Sequence, residues 1–117
     1  MNGLIIKSPY IDDILKGVKK WEVRGMKTQI RGTIVLLQSG TGYALGTVDI
    51  VDCIELSIDD YNNWDYRKAQ EKVNKLPYRK TYAYVLSNPK IYKNPKKYYH
   101  PKGAITWVKL SEDYLYG

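Results

Sequence analysis

Gly17-Val18-Lys19-Lys20-Trp21-Glu22-Val23-Arg24, with Arg31-Gly32 shortly after it, marks the passage from the end of a helix into a strand. Upstream, Tyr10, Ile11, Ile14 and Leu15 fall near helical spacing, so the residues from Tyr10 to Lys16 read as a short amphipathic helix. Ser8 is placed to cap it and Pro9 to take its first position. Gly17 suits the left-handed position that closes a helix. Lys16, Lys19 and Lys20 complement the negative end of the helix dipole. Lys20 to Arg24 reads as a strand. Thr33-Ile34-Val35-Leu36-Leu37 is apolar on both faces and reads as a central one. Glu22 and Arg24 share strand parity and point to one face. Lys19 has the opposite parity and joins them only if it lies in the turn after Gly17. A lysine, a glutamate and an arginine so placed are either an exposed ion pair of little energetic weight or the lining of a cleft.

Working outward, Leu4-Ile5-Ile6 reads as a strand, Gly25 to Thr28 as a loop and Ser39 to Gly42 as a turn. Tyr43 to Ile54 is a long strand, with Gly46 a bulge or a point of close backbone approach. Ser57-Ile58-Asp59-Asp60 resembles a capping box, with Asp in place of the usual Glu. A helix is expected from Asp59 to about Asn74, with Ile58, Tyr61, Ala69, Val73 and Leu76 inward and Pro77 as its stop. Lys80 to Leu86 is expected as a strand ended by Asn88-Pro89, and Ala104 to Leu110 as the last strand. No linker or internal repeat divides the chain, so residues 1–117 are expected to form one domain. Strands outnumber helices and do not alternate with them. The expected class is α+β: a small, mostly antiparallel barrel with two flanking helices rather than a doubly wound parallel sheet.

The chain has 117 residues, of which 44% are apolar, enough for one core without staples. Its one cysteine, Cys53, cannot form an intramolecular disulfide, which fits a reducing compartment. Cys53 sits in a strand-like run and reads as a small buried apolar residue rather than a reactive thiol. His100 is the only histidine, and no Cys/His cluster has metal-ligand spacing, so neither a metal nor another cofactor is expected. No apolar run is long enough to span a bilayer, and Met1 to Lys7 is too short in its apolar part for a signal peptide. A soluble, cytoplasmic, monomeric protein without a membrane partner is expected.

The formal net charge is +7. A small basic domain commonly meets an anionic partner, nucleic acid first among them; a merely solvated cationic surface is the alternative. Tyrosine occurs twelve times and phenylalanine not at all. Tyrosine can stack on bases, although an AT-rich genome would enrich it too. Lys90 to Lys102 alternates cations with rings, and its prolines keep it extended. It reads as a loop in which Lys93, Lys96, Lys97 and Lys102 meet phosphates while Tyr98 and Tyr99 offer stacking faces. The alternative is a solvated loop whose tyrosines pack on the barrel. Arg67, Lys68, Lys72, Lys75, Arg79 and Lys80 either extend this basic surface or form a solvated helix face. Ser8 is either a helix cap or a hydroxyl at a cleft mouth, with Lys7 and Tyr10 beside it.

Taken together, these segments resemble the ASCH domain (named for homology to activating signal cointegrator), a branch of the PUA-like superfamily. Leu4 to Tyr10 is similar to its opening strand and turn. Gly17-x-Lys19-x-x-Glu22-x-Arg24 is similar to its signature, and Arg31-Gly32 stands in the expected place downstream. Gly46 to Cys53 looks like its second block. Tyr82 to Pro89 and Lys102 to Trp107 resemble its closing strands. The resemblance implies a small PUA-like β-barrel with a cleft lined by Lys19, Glu22 and Arg24, and a partner that is RNA or, alternatively, single-stranded DNA. Lys7, Ser8 and Tyr10 would share that cleft.

Related domains include ribonucleases and amidohydrolases that deacetylate acetylcytidine. An enzyme of either kind would use Lys19, Glu22 and Arg24 as its catalytic residues. In the amidohydrolases a threonine nucleophile stands beside a lysine; here Lys19 takes the lysine position but Glu22 the threonine position, so that nucleophile is missing. A metal-independent ribonuclease stays open, with Glu22 as base and Lys19 or Arg24 stabilising the pentavalent phosphate. A third alternative is an interaction domain for an acidic protein.

Overall fold

The computed structural model describes residues 1–111 and 113. Six strands and two short helices follow in the order β1 (Asn2–Ile6), α1 (Tyr10–Leu15), β2 (Trp21–Arg24), β3 (Gly32–Gln38), β4 (Tyr43–Glu55), α2 (Ile58–Asn62), β5 (Tyr82–Lys97) and β6 (Trp107–Lys109). The strands form one sheet in the order β2-β5-β4-β3-β1-β6. Among the described residues β1 and β3 pair in parallel and the other neighbours antiparallel. The sheet curls into a half-barrel, so the expected mixed α+β barrel-like fold with two helices is what forms. No described helix is long and apolar enough to cross a membrane.

The apolar runs of β1 and β3 explain the packing. Leu4 and Ile6 of β1, Ile34 and Leu36 of β3, Val48 and Ile50 of β4, and Tyr84 and Leu86 of β5 form one cluster, closed by Ile11, Ile14 and Leu15 of α1. The intervening Ile5, Val35 and Leu37 turn to the other face, against Ala44, Val108 and Leu110. The centre of the sheet is therefore covered on both faces, as the unbroken apolar run of β3 demands. Cys53 packs half-buried against the first cluster, in keeping with its apolar reading.

Four expectations need correction. First, Ser8 does not cap α1. Pro9 holds the cap position, no side chain caps the helix, and the Ser8 hydroxyl instead accepts from Gln38 Nε2 at 2.9 Å.

Second, the helix expected from Asp59 to Asn74 ends at Asn62. The Ser57/Asp60 capping box forms, but the buried Asn62 amide then bonds the Val73 backbone, eleven residues on, rather than leaving the helix free to propagate. Its Nδ2 donates to the Val73 carbonyl at 2.8 Å, and its Oδ1 accepts from Val73 N at 3.1 Å and from Arg67 Nη1 at 2.8 Å. Asparagine that serves distant backbone in this way competes with helix continuation.

Third, β5 runs through Asn88-Pro89 to Lys97 instead of stopping there. Asn88 takes a left-handed φ of 54°, and the β4–β5 register shifts between Thr47 and Asp49. The Asn-Pro pair is thus a bulge, one of the few places in a sheet that tolerates a residue without an N–H. Consequently Lys90 to Lys97 is strand rather than loop. Gly46 lies opposite: a Cβ there would sit 2.2 Å from the Lys90 carbonyl oxygen, so the close-approach expectation holds.

Fourth, the final strand is shorter than Ala104–Leu110, comprising Trp107–Lys109.

Candidate functional site

Gly17, at φ +79°, reverses the chain after α1. The Val18 and Lys19 amides then both donate to the Asp13 carbonyl, at 3.0 and 3.1 Å. Lys19 therefore belongs to the turn and not to β2, which removes the parity conflict. Its Nζ donates to Glu22 Oε1 at 2.7 Å and to the Trp21 carbonyl at 2.6 Å. Arg24 approaches from the same face of β2 as Glu22, and its Nε donates to Glu22 Oε2 at 2.8 Å. Its Nη2 reaches the Ile5 carbonyl at 2.7 Å and so ties the edge strand to β1. One carboxylate thus holds two cations. Lys19 and Glu22 are only 5% and 7% exposed, so this is no surface ion pair.

Three rings surround the ammonium group. Tyr10, Trp64 and Tyr66 have their centroids 5.9, 5.4 and 5.7 Å from Lys19 Nζ, within cation–π range. Trp64 is held by stacking on Trp21, with centroids 5.4 Å apart, and the Tyr66 hydroxyl donates to Asp13 Oδ2. Burial pushes the Lys19 amine below its ordinary pKa; Glu22 pulls it back up, and Arg24 adds to the lowering. Burial, then the hydrogen bond to Asp13, pushes the Tyr66 phenol well above its usual range.

These groups line a cleft of about 410 Å³ between the β1–β2 side of the sheet and residues 61–70. Lys7, Tyr10, Lys19, Glu22 and Arg24, expected to meet, all line it. Ser8 does not. Lys93, Lys96, Lys97, Tyr98, Tyr99 and Lys102 are not among the residues that line the cleft: Lys93, Lys96 and Lys97 are on the distal half of β5, and Tyr98 packs on the second core cluster. The wall supplied by Tyr61, Trp64, Tyr66, Arg67 and Gln70 is absent from the sequence reading, which places these residues on one helix, Tyr61 facing the core and Arg67 on a basic or solvated face. The crowding of Tyr61, Trp64 and Tyr66 into six residues was the available signal. Among the described residues no group of three or more His, Cys, Asp or Glu side chains could hold a metal ion.

The ASCH domain family model matches residues 4–106, from β1 to the approach to β6. The chain belongs to the ASCH domain family. Its fold is similar to the crystal structure of an ASCH protein from Zymomonas mobilis, with a TM-score of 0.68 at 12% identity, covering 98% of this chain and 90% of that one. A tyrosine-to-phenylalanine variant of the Zymomonas protein matches with a TM-score of 0.67, also at 12% identity, covering 98% and 93%. A serine-to-alanine variant matches at 0.63, with 12% identity and coverage of 98% and 91%. At that identity the likeness concerns the fold. No curated protein matches the chain. Within this ASCH domain the cleft walls are Lys19, Glu22 and Arg24 on one side and the Trp64–Arg67 segment on the other.

Proposed function

We propose that this ASCH domain binds nucleic acid, RNA or alternatively single-stranded DNA, and holds a base or strand end in the Lys19/Glu22/Arg24 cleft. The observation that carries the proposal is the convergence of two cations and a carboxylate, roofed by rings, in one solvent-open cleft of a basic protein. The rings offer stacking faces, and each stacked base contributes about 1–3 kcal/mol. Arg24, through donors left over from Glu22 and Ile5, and Lys7 can meet phosphate or base acceptors. Lys93, Lys97, Tyr99 and Lys102 extend the contact along β5 and the turn after it, with Lys96, Tyr98 and the Ser8 hydroxyl as further candidates. The same proposal has the protein acting as a monomer in the cytoplasm. Arg24→Ala is expected to lower affinity for a short single-stranded RNA by about tenfold at fixed salt, the loss of one charge-assisted contact, with an unchanged circular dichroism spectrum. Unchanged affinity removes the cleft from the proposal.

A second reading is favoured by one observation: the Lys19 amine is buried, shifted below its ordinary pKa and in contact with Glu22. Perturbed amine–carboxylate pairs in clefts suit acid–base chemistry. The cleft would then cleave RNA, or hydrolyse a modified nucleoside, without a metal. On labelled RNA, Glu22→Gln is expected to remove the cleavage shown by wild type while remaining folded; equal cleavage by both proteins discards the enzyme.

A further inference from the structure

The charges of the cleft do not balance. Lys7, Lys19, Arg24 and Arg67 line it against one carboxylate, Glu22. Lys19 and Arg24 are both satisfied by Glu22. Arg67 differs. It is 8% exposed, and among the described residues none of the ion pairs includes it. Its contacts are all with neutral groups: Nη1 donates to Asn62 Oδ1 at 2.8 Å, Nη2 to the Glu71 carbonyl at 3.3 Å, and the Tyr61 ring covers the guanidinium at 4.3 Å. A guanidinium carries five N–H donors, so three of them lack an acceptor among the described residues. A cation removed from water without a counter-charge is costly and is normally paired. Tyr61, Asn62 and the Glu71 carbonyl fix its plane, which is the condition for gripping a phosphate with two parallel hydrogen bonds.

We infer that Arg67 is the anchor for a phosphate group, and that the cleft takes a nucleotide by its phosphate as well as by its base. The inference rests on the cleft being the nucleic-acid site proposed above, and it names the part of the ligand each wall reads. The Tyr10, Trp64 and Tyr66 rings offer stacking for the base, while the ligand's phosphate gives Arg67, on the wall with Gln70, the missing half of an ion pair. At about 410 Å³ the cleft is near the small end of ligand pockets, a size for one nucleotide or a strand end rather than a length of chain.

The test compares uridine and cytidine with their 5′-monophosphates, and with RNA dinucleotides that carry or lack a terminal 5′-phosphate, by calorimetry on the full chain. Wild type is expected to bind each monophosphate about tenfold or more tighter than its nucleoside, the ratio for one charge-assisted contact. Arg67→Gln is expected to bring the two within about twofold, the monophosphate losing far more affinity than the nucleoside; a purely structural role for Arg67 would lower both equally. Should that variant not fold, the wild-type side-chain NMR resonance of Arg67 Nε–H decides: it should shift with the monophosphate and not with the nucleoside. A dinucleotide that binds equally with and without its terminal phosphate assigns Arg67 to the internal phosphodiester. Equal wild-type binding of nucleoside and monophosphate overturns the anchor and leaves the base-binding cleft standing. Failure of every one of these ligands to bind overturns both.

Discussion

At the scale of single residues, Lys19 governs the chemistry of the cleft. Its amine is desolvated by burial and rescued in part by Glu22, and the balance leaves its pKa below the ordinary 10.5. The unfolded chain therefore binds more protons than the folded one between the lowered value and 10.5, so in that window the Lys19 term raises stability as pH rises. Urea denaturation of wild type and Lys19→Met is expected to show this directly. The wild type should gain stability relative to the variant as pH increases through the window, and a wild type that loses ground there would contradict the assigned direction. Because Glu22, more than Asp13, raises the Lys19 pKa, Glu22→Gln is expected to move the Lys19 amine further down in an NMR titration. Arg67 could not be weighed in this way from sequence. In a run with Lys68, Lys72 and Lys75 it looks like one more solvated cation, and only the folding back of the chain onto Asn62 buries it.

Among the elements, the segment after α2 matters most. It was expected as a polar helix, and it is instead a loop pinned by the Asn62 side chain to Val73 and Arg67. The pin brings Trp64 over Trp21 and Lys19. Asn62→Ala leaves the half-buried backbone groups of Val73 and the buried Arg67 guanidinium without that partner, at a cost of about 1–3 kcal/mol. The expected outcome is faster amide exchange across residues 63–73 and red-shifted tryptophan emission, with the β3–β4 amides still protected. Loss of protection throughout the sheet would show that the segment supports the fold rather than the site. The strands beside it were far more legible. Thr33 to Leu37 is apolar at every position except its first, and a strand of that composition has few places to go except the middle of a sheet covered twice. Strand β5 was legible only to its bulge, since Asn-Pro ends a strand locally and continues one only when a neighbour such as β4 shifts register to receive it.

For the whole molecule, the excess positive charge sets how it meets a polyanion. Binding of single-stranded RNA is expected to weaken steeply with salt, each neutralised phosphate contributing about −0.7 to the slope of log K against log salt. Replacing Lys93 and Lys97 together by alanine is expected to lower affinity alike for all sequences and to make the slope shallower by about 1.4, two phosphates' worth. Arg24→Ala should instead act mainly through the cleft. A double lysine variant with an unaltered slope would place the polyanion elsewhere on the surface. The elongated β4–β5 ribbon and the cleft are separate regions of one basic protein, so their contributions to binding should be close to additive.

By itself, the sequence determined the family, the course of the strands along the chain and the double-sided core, and it placed Lys19, Glu22 and Arg24 close enough in the chain to meet. Those features follow from local periodicity, from turn residues such as Gly17, and from charges a few positions apart, all of which act over short stretches of chain. The tertiary structure decided the other half: the continuation of β5 past Pro89, the ring wall of Trp64 and Tyr66, and the burial of Arg67. Each of these depends on a partner distant in the chain, Trp21 for Trp64, Asp13 for Tyr66, β4 for β5. No local pattern encodes such a partner, because contact between remote segments is settled by which surfaces exclude water together once the chain has collapsed.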